Sequence, residues 1–570
     1  WTSFFSASIY MIGDVLFGSG DDTLTVEAGR INGAISFGDG QDALVVDGST
    51  VHAEILRLIE DGIIDPMTDE EIWAALPHIT SAISDSDGNL SIALDFATLE
   101  LVESGDLEIS EGRFGDGSVL MLQVDAENND VRRIVSSGNI TFETGSRLSV
   151  SLSNLIGGGG TFELIRAGSL TIEEDLATLN DSPSPYLYNT NLERSADDDN
   201  VIVLTLERKD ADALGMNANQ AAAYASAFEG WAENGALGAA IASLTNQNAF
   251  FDAYDQLLPE YAASAIQFAM ASNDSAIGAL ANRLEAVRRS PEDTGGLWVQ
   301  EFGYFADRAG TAFGPGYRGQ GIGVAVGFDR PAGPFYAVGV NFVGAASEVS
   351  EVEGVDDPMT ALTGQLGVYA GSRMSGVNFD IYGGAGFDSF EHNRRVLIGE
   401  FDASPSAEWT GYHITGSARV SRDFEFGGRY YARPALSVDY LHLFEEGYTE
   451  TGGGIGVDLS IADRDSTSFS GSAVLTMGAL YENSSRWWSP VVRLGYRSEF
   501  SNDILETEAR FADYDDTFIL RSQQLPGSGL LFGFGVSAGS GYSTFSLDYD
   551  ADVRDDFIRH TARLVMRMVF

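Results

Sequence analysis

Alternation of residue type in the C-terminal half of the chain limits the possible folds more than any other feature of the sequence. Within 317–329, every second position from 322 to 328 is apolar: Ile322, Val324, Val326 and Phe328. The positions between them are small: Gly321, Gly323, Ala325 and Gly327. Segments 377–388 and 543–552 alternate in the same way. Because successive side chains of a β-strand point to opposite faces, these segments predict strands with one apolar face and one small or polar face.

The spacing of such segments predicts a closed barrel. We predict twelve strands at 297–306, 317–329, 335–347, 360–372, 377–390, 410–424, 429–445, 465–481, 487–501, 528–539, 542–552 and 557–570. Every second connection is short, and the others are mostly long and acidic. Outer-membrane barrels have short periplasmic turns and long external loops. The sequence therefore predicts an all-β fold whose C-terminal part, 291–570, is a twelve-stranded transmembrane β-barrel.

The last predicted strand indicates a polar lumen. Arg559, Arg563 and Arg567 share one face of it. Facing lipid at mid-depth, each would cost about 2–4 kcal/mol. We therefore expect all three in the lumen, together with four acidic residues on the polar faces of other strands: Asp380, Asp388, Asp548 and Asp550. We also expect aromatic residues at strand ends to form girdles at the two membrane interfaces: Trp298, Tyr336, Tyr369, Trp409, Tyr412, Tyr430, Tyr431, Trp487 and Trp488.

Helical periodicity replaces alternation in 209–290, which we predict to be a helical linker of several helices. Its last part carries Arg283, Arg288 and Arg289. We expect this part to thread the barrel lumen, where the arginines would face the four predicted acids. The alternative is an amphipathic helix packed outside the pore.

A repeat of 20 residues in the N-terminal part predicts a solenoid. Residues 17–26 align with residues 37–46, and a repeat of this length is typical of one solenoid rung. We predict a right-handed parallel β-solenoid fragment over 1–208, beginning within a repeat whose upstream part is missing. A helical insertion at about 51–83 is marked by a capping box at Thr68–Glu71, and strand patterning resumes at 89–207.

The composition and the spacing of the reactive residues do not indicate an enzyme or a cofactor-binding protein. The net charge of −51 argues against a nucleic-acid partner. The chain has no Cys, its six His are scattered, and no catalytic or cofactor motif is found. The weak exception is calcium: Asp22 and Asp42 lie in Gly-x-Gly-x-Asp-x-Leu turns that resemble a calcium-binding repeat. That repeat recurs every nine residues rather than 20, so the alternative is solenoid turns shaped by Gly and Asp. We expect no cofactor and no enzyme activity.

The succession of solenoid, helical linker and twelve-stranded barrel resembles a classical (type V) autotransporter. The linker runs at 217–224 and 254–261 are similar to that family. The region of about 138–208 resembles the junction, or autochaperone-like, region that helps such passengers fold. The C-terminal Met566, Met568 and Phe570 resemble the assembly signal of outer-membrane proteins, with Met568 where a second aromatic is common.

This resemblance implies a barrel in the outer membrane of a Gram-negative bacterium, in contact with lipid and lipopolysaccharide and inserted by the barrel-assembly machinery. It also implies export of the N-terminal passenger to the cell surface, where a retained passenger would serve adhesion or another surface interaction with an extracellular ligand. Two alternatives stay open. The barrel could anchor a surface hydrolase whose catalytic domain lies upstream of residue 1, or it could be a plain porin-like barrel.

Overall fold

The computed structural model describes residues 10–125, 128–180, 184–258, 264–289, 296–310, 316–352, 357–483, 486–501, 506–521, 525–540 and 543–568. Phe570 lies outside these residues, as do the side chains of Arg289, Arg567 and Met568. The chain divides into two compact units. The first comprises Trp1–Met216, Phe228–Tyr254 and Ile398–Phe401, and the second comprises Asn217–Ala227, Asp255–Leu397 and Asp402–Phe570.

The second unit contains a closed barrel of twelve antiparallel strands, as predicted. Its strands are β1 (Gly296–Arg308), β2 (Tyr317–Ala332), β3 (Phe335–Glu351), β4 (Met359–Met374), β5 (Val377–Asn393), β6 (Ser406–Arg422), β7 (Tyr430–Glu445), β8 (Arg464–Ala479), β9 (Arg486–Glu499), β10 (Gly529–Ser540), β11 (Ser543–Arg554) and β12 (Phe557–Met568). Each strand pairs with the next, and β1 pairs with β12 from Val299–Met566 to Arg308–Phe557, which closes the sheet.

Short strands extend the connections between the barrel strands. They are Val396–Ile398, Phe401–Ala403, Phe424–Phe426, Tyr448–Thr449, Leu459–Ile461, Tyr481–Glu482, Glu506–Phe511 and Phe518–Arg521. Four of them, from the connections after β7 and β9, form a small antiparallel sheet. The described parts of the connections after β5, β7 and β9 therefore contain paired strands.

The two faces of the barrel wall differ as the alternation predicts. Apolar side chains on the outer face are highly exposed, with Ile322 at 72% and Leu366 at 68%. On the inner face of β12, Arg559 and Arg563 are each 8% exposed. An apolar outer band and a polar interior are the arrangement that a bilayer requires, because charges on the lipid face are destabilising.

The predicted aromatic girdles are only partly present. Tyr412, Tyr430 and Trp488 face outward and are about half exposed. The girdle prediction is wrong for four others, which point inward and are at most 7% exposed: Trp298, Tyr369, Trp409 and Tyr431. The physical reason is that these four occupy lumen-facing positions in the alternation, and Trp298, Tyr369 and Trp409 pack there in buried clusters with a helix inside the barrel.

Eight helices occur in the described part of the chain: α1 (Ser49–Glu60), α2 (Asp69–Ala75), α3 (Leu176–Leu179), α4 (Ala211–Leu214), α5 (Ala218–Glu233), α6 (Gly235–Ala242), α7 (Gln247–Asp255) and α8 (Ser264–Arg289). Among the described residues, no helix has both the length and the hydropathy needed to cross a bilayer. The capping box of α2 is formed by Thr68 and Glu71, as predicted. Helix α2 ends at Ala75 and strand pairing resumes at His78, before the predicted limit of the insertion at 83.

The first unit contains a solenoid of stacked parallel strands. One sheet runs through Thr23–Val26, Ala43–Asp47, Ser91–Asp95, Glu111–Phe114, Asn139–Phe142 and Ser169–Ile172. A second runs through Tyr10–Ile12, Arg30–Asn32, His78–Ser81, Thr98–Leu101, Val119–Asp125 and Arg147–Leu152. Leu24 pairs with Leu44, which confirms the repeat of 20 residues. The hand of the solenoid remains a prediction.

Further strands lie beside these two sheets, and an antiparallel end follows the stack. The further strands are Val15–Leu16, Ile35–Ser36, Ile83–Ser84, Gly105–Ile109 and Asp130–Ser136. The antiparallel end consists of Gly160–Arg166, Tyr188–Arg194 and Val201–Arg208. Inward-facing side chains such as Leu44, Leu94 and Phe114 are completely buried and form a continuous apolar core along the stack.

Candidate functional site

Helix α8 occupies the lumen of the barrel, and its apolar residues pack against the wall at two levels. Near the start of α8, Ile266 and Phe268 belong to a buried cluster with Phe390 and Trp409. Further along, a second buried cluster combines helix and wall residues: Ala276, Ala279, Leu280, Leu284, Val287, Trp298, Phe302, Ala325, Ala337, Val343, Ala345, Tyr369 and Tyr382. The helix is thus enclosed by the barrel along most of its length.

The direction of α8 follows from these contacts. Phe390 and Trp409 border the long loop between β5 and β6, so the N-terminal end of α8 lies at the long-loop end of the barrel. Arg288 contacts Tyr336 and Asp380, which follow the short turns before β3 and β5. The chain therefore runs from the long-loop end to the short-turn end through the lumen.

A buried ion pair fixes the middle of α8. Arg283 donates from Nε and Nη2 to the two carboxylate oxygens of Asp329, at 2.7 and 2.6 Å. Tyr369 donates its hydroxyl to Asp329 at 2.8 Å, and the indole Nε1 of Trp298 donates to the Tyr369 hydroxyl at 2.7 Å. A bidentate pair with its remaining acceptor sites filled is the arrangement that makes burial of two charges tolerable.

The last turns of α8 are held by a second pair. Arg288 Nη1 donates to the carboxylate oxygens of Asp380 at 3.1 and 3.0 Å, and to the Tyr336 hydroxyl at 2.6 Å. Tyr336 also donates its own hydroxyl to Asp380. Of the three arginines predicted to face the lumen, Arg283 and Arg288 therefore do so.

Two acidic residues of α8 bind arginines of the wall. The prediction pairs only arginines on the helix with acids on the wall, so these two pairs have the opposite arrangement of charge. Asp274 accepts hydrogen bonds from Arg559 and from Arg497 Nη1, the latter at 2.6 Å. Glu285 forms an ion pair of 2.5 Å with Arg433. Charged residues spaced along the helix thus each have a partner of opposite sign on the barrel, and together they fix the rotation and depth of α8.

Three of the predicted acids lie in the lumen but bind the wall rather than the helix arginines. Asp388 accepts from Thr363 at 2.7 Å and contacts His413 Nδ1 at 2.6 Å. Asp548 and Asp550 accept from Arg493 at 2.8 and 2.9 Å, and Asp550 also accepts from Arg563. The expected pairing of these three with the helix arginines is wrong. Inward side chains of adjacent strands, and those of β9 and β11 across the glycines of β10, lie within reach of one another and neutralise the charges locally.

The residues that sequence reasoning missed had a usable signal. Asp329 directly follows Phe328 and falls on the same face of β2 as the small residues Gly321 to Gly327, so its parity places it in the lumen. Asp274 and Glu285 are acids within a predicted lumen helix. Their partners Arg433 and Arg497 are inward-facing arginines, but no single strand shows which wall position meets which turn of the helix.

The helix does not fill the lumen completely. A polar cavity of about 220 Å³ lies between α8 and the wall, with Asp274, Glu285, Arg419 and Arg493 among its lining residues. Gly278 faces Arg563 here, and a Cβ at Gly278 would stand 2.6 Å from the guanidinium. The arrangement is a plugged pore with polar space along one side of the plug.

The calcium candidates do not come together as a binding site. The amide of Asp22 donates to Asp42 Oδ1 at 2.8 Å, so the two residues are linked through the backbone of the preceding rung. Within the described residues, no group of three or more His, Asp or Glu side chains is arranged to hold a metal ion. The hydrogen bond that Asp42 accepts is one that Gly- and Asp-shaped turns make, and the weak calcium prediction stays a prediction.

A closed barrel of twelve antiparallel strands, with an apolar outer band and a charged lumen occupied by a helix, defines an outer-membrane barrel of the translocator type. Residues 297–552 match the family model described as the autotransporter beta-domain, and this part of the chain belongs to that family. The chain thus carries an autotransporter barrel, which belongs to the outer membrane of a Gram-negative bacterium with a passenger exposed at the cell surface.

Solved structures of similar domains match about half of the chain. The translocator domain of the autotransporter NalP from Neisseria meningitidis is 14% identical, with a TM-score of 0.38, and covers 53% of this chain and 99% of that one. The beta domain of the Bordetella autotransporter BrkA is 17% identical, with a TM-score of 0.36, and covers 49% of this chain and 100% of that one. The transport unit of AIDA-I from Escherichia coli is 9% identical, with a TM-score of 0.34, and covers 49% and 92%. The search of curated proteins gives no significant match.

Proposed function

We propose that the barrel exports the N-terminal part of its own chain and then anchors it at the cell surface, with α8 left in the lumen. The observation that carries this proposal is the direction of α8. Its N-terminal end lies at the long-loop end of the barrel, which is the external end in outer-membrane barrels. Residues upstream of α8 therefore connect to the barrel from the outside.

The contacts of α8 favour a passenger that stays attached. The helix is continuous from Ser264 to Arg289. Asp274, Arg283, Glu285 and Arg288 each form an ion pair with the wall. Breaking a buried pair by removing one partner costs several kcal/mol, so a helix held by four such residues resists withdrawal from the pore. We propose transport and anchoring rather than catalysis as the role of the chain.

The solenoid is the proposed cargo, and its folding outside the cell would oppose its return. Each rung buries its apolar residues only against neighbouring rungs, so folding can proceed along the stack from one end. The antiparallel strands from Gly160 to Arg208 close the stack at the end nearest the barrel in sequence. We propose that this end, within the junction region at about 138–208, folds first and starts the stack.

Protease treatment of intact cells tests the export step. We expect external protease to remove residues 1–208 and to leave the barrel intact, whereas the same cells without the chain give no fragment. Cells whose outer membrane has been permeabilised serve as the control for total accessible chain. Full protection of the solenoid in intact cells, with cleavage only after permeabilisation, would contradict export and favour the porin-like alternative.

Adhesion or another surface interaction is the proposed purpose of the displayed solenoid, because stacked rungs offer long, regular binding faces. We expect cells that display the full chain to bind a surface or a host matrix more than cells treated with protease. Cells that carry only residues 209–570 are the matched control. Equal binding by both would contradict adhesion. A hydrolytic activity that is lost with the shaved fragment would support the alternative in which the barrel anchors an enzyme.

The C-terminal strand is proposed to guide insertion by the barrel-assembly machinery. Met566 faces outward on β12 and is 45% exposed, on the face opposite Arg559 and Arg563. Met568 and Phe570 continue this face in the sequence. We expect Phe570→Ser to lower the amount of barrel in the outer membrane, and Val569→Ser to leave it nearly unchanged. Equal amounts for both variants and the unaltered chain would contradict the assembly role.

A further inference from the structure

A groove lies on the outer face of the barrel, close to its short-turn end. Its volume is about 550 Å³, within the range of small-molecule pockets, and it crosses strands β2 to β5. Cross-strand pairing places Arg330, Val338, Ala370 and Ile381 in one outward-facing row, with Arg330 at one end. The groove lies on the opposite face of the wall from the lumen, and of the residues that pack around α8 only Tyr369 and Tyr382 also border it among the described residues.

The depth of the groove comes from small residues between larger ones. In the second outward-facing row, Phe328, Val340, Val368 and Gly383 lie side by side. Phe328 is 47% exposed and Val368 63% exposed, so these side chains project outward. Gly383 has no side chain, and a Cβ there would meet only the backbone oxygen of Thr415, at 4.0 Å. The floor is therefore lowest around Ala370 and Gly383, and its lining is almost entirely apolar.

The mouth of the groove carries an unpaired cation. Arg330 is exposed and lies two residues before the end of β2 at Ala332, about 7 Å along the strand. Its guanidinium carbon stands 6.0 Å from the centre of the Phe328 ring. In the part of the chain that the structure describes, Arg330 has no ion-pair partner. At this short-turn end the groove meets the headgroup level of the periplasmic leaflet.

We propose that this groove is a binding site for one phospholipid of the periplasmic leaflet. One acyl chain lies over Ala370 and Gly383, and the phosphate is bound by the guanidinium of Arg330. An apolar groove on a membrane-facing surface is filled by lipid chains, and arginine matches a phosphate through parallel hydrogen bonds. A free anion would explain Arg330 but leave the apolar floor uncovered, and only a lipid accounts for both.

Native mass spectrometry of the full chain reconstituted with phosphatidylethanolamine and phosphatidylglycerol tests the site. We expect the unaltered chain to retain one phospholipid after detergent exchange. The double variant Ala370→Leu/Gly383→Leu fills the floor with apolar side chains that suit a lipid-facing surface, and it should lose this lipid by about tenfold in retained fraction. Gly364→Leu is the matched control and should retain the lipid. Gly364 lies on the outer face of β4, the strand that carries Ala370, but nearer the long loops.

A second experiment separates the contribution of the phosphate to binding from that of the acyl chains. Diacylglycerol offers the same acyl chains without a phosphate. We expect the unaltered chain to prefer phosphatidylglycerol over diacylglycerol and Arg330→Gln to lose that preference. Arg422→Gln is the matched control, because Arg422 is also exposed and stacks on an exposed ring, with its guanidinium carbon 5.2 Å from the centre of Phe424. Both variants lie outside the set of residues that hold α8.

Three results would overturn the proposal. The first is equal lipid retention by the unaltered chain and the filled double variant. The second is a preference for phosphatidylglycerol that survives Arg330→Gln. The third is a lipid-free dimer of the unaltered chain that becomes monomeric in the double variant, because the groove would then be an interface between copies. None of these outcomes bears on export, which is measured separately by protease treatment of cells.

Discussion

The guanidinium of Arg283 and the carboxylate of Asp329 meet through two hydrogen bonds inside the barrel, with side chains that are only 4% and 0% exposed. One residue belongs to the lumen helix and the other to the wall. The pair therefore sets both the height and the rotation of the helix in the pore. Its strength decides how firmly the helix is held after export.

Removing only one partner of this pair is expected to be costly. Asp329→Leu leaves the Arg283 charge buried without a counter-ion, which should lower the free energy of unfolding by about 3–5 kcal/mol. Arg283→Met/Asp329→Leu replaces the pair by apolar side chains and should restore most of that loss. The measurement is the denaturant midpoint of the full chain in detergent.

The exposed pair of Arg395 and Asp402 provides the control for this prediction. Both side chains are 49% exposed, and Arg395→Gln should change the free energy of unfolding by less than about 1 kcal/mol. A double variant no more stable than Asp329→Leu would show that the cost lies in packing rather than in the unpaired charge.

Asp274 is expected to keep the pore closed. Asp274→Ala leaves Arg497 and Arg559 facing each other beside the polar cavity, and it removes one of the attachments of α8. The population of the state in which α8 is displaced from the lumen should then rise by about tenfold for each 1.4 kcal/mol of lost interaction. Single-channel recording of the full chain in planar bilayers measures this as the frequency of large openings.

Ser275→Ala is the control on the same turn, because Ser275 donates its hydroxyl to Ala271 of the helix itself at 2.8 Å. It should leave the recordings unchanged. Equal opening frequencies for the Asp274 and Ser275 variants would contradict a closing role for Asp274.

The stacked rings of Phe114 and Phe142 are expected to be a main source of solenoid stability. Their ring centres are 4.8 Å apart and both side chains are completely buried. Phe142→Ala should cost about 3–5 kcal/mol, through lost burial and the cavity left behind. Limited proteolysis of the purified full chain should then cut residues 1–208 faster. Thr141→Ala, which changes the outward-facing neighbour, should alter the rate little; equal rates for the two variants would contradict the prediction.

Glu100 is expected to make solenoid stability depend on pH. The His78 imidazole, whose Nε2 lies 3.9 Å away, and the Thr80 hydroxyl lower the pKa of the Glu100 carboxyl below its ordinary value of 4.5. A carboxyl with a lower pKa in the folded state adds stability above pH 4.5 and loses it as the pH falls through the folded pKa. Glu100→Gln should therefore destabilise the solenoid at pH 7 more than at pH 3.

Urea unfolding of the full chain, followed by circular dichroism at both pH values, measures this difference. Glu111→Gln alters an exposed glutamate of the same solenoid and should give similar midpoints to the unaltered chain at each pH. A Glu100→Gln deficit that is as large at pH 3 as at pH 7 would assign the effect to packing instead of ionisation.

The barrel was predictable from sequence because the pattern that specifies each strand is contained within that strand's own residues. A strand exposes alternate residues to lipid and lumen, so twelve segments of period two with the right connections determine the strand count. The same rule places Asp329 in the lumen, and it also turns Trp298 inward, since Leu297 beside it is 65% exposed. The girdle prediction is wrong for Trp298 because alternation, and not nearness to a strand end, decides which face of the wall a side chain takes.

The pairing of charges across the lumen was not predictable in the same way. Arg283 could meet any inward acid at its depth, and that depth depends on the tilt and stagger of twelve strands together. Asp388 has His413 within reach on the adjacent strand, so it is neutralised without the helix. Such choices are settled by register between strands, which no single segment of sequence contains.

The pairing of β1 with β12 has a consequence for the order of events. The barrel wall stays open until the strand at 557–568 pairs with β1, and that strand follows the solenoid and the other eleven barrel strands in the chain. The solenoid precedes the barrel in the chain and is synthesised before it. The proposed passenger is therefore made before the barrel that would export it can close. Under the proposed export, the solenoid would have to stay unstacked until the barrel has closed, and residues 1–570 contain no cysteine that a premature disulfide could lock during that delay.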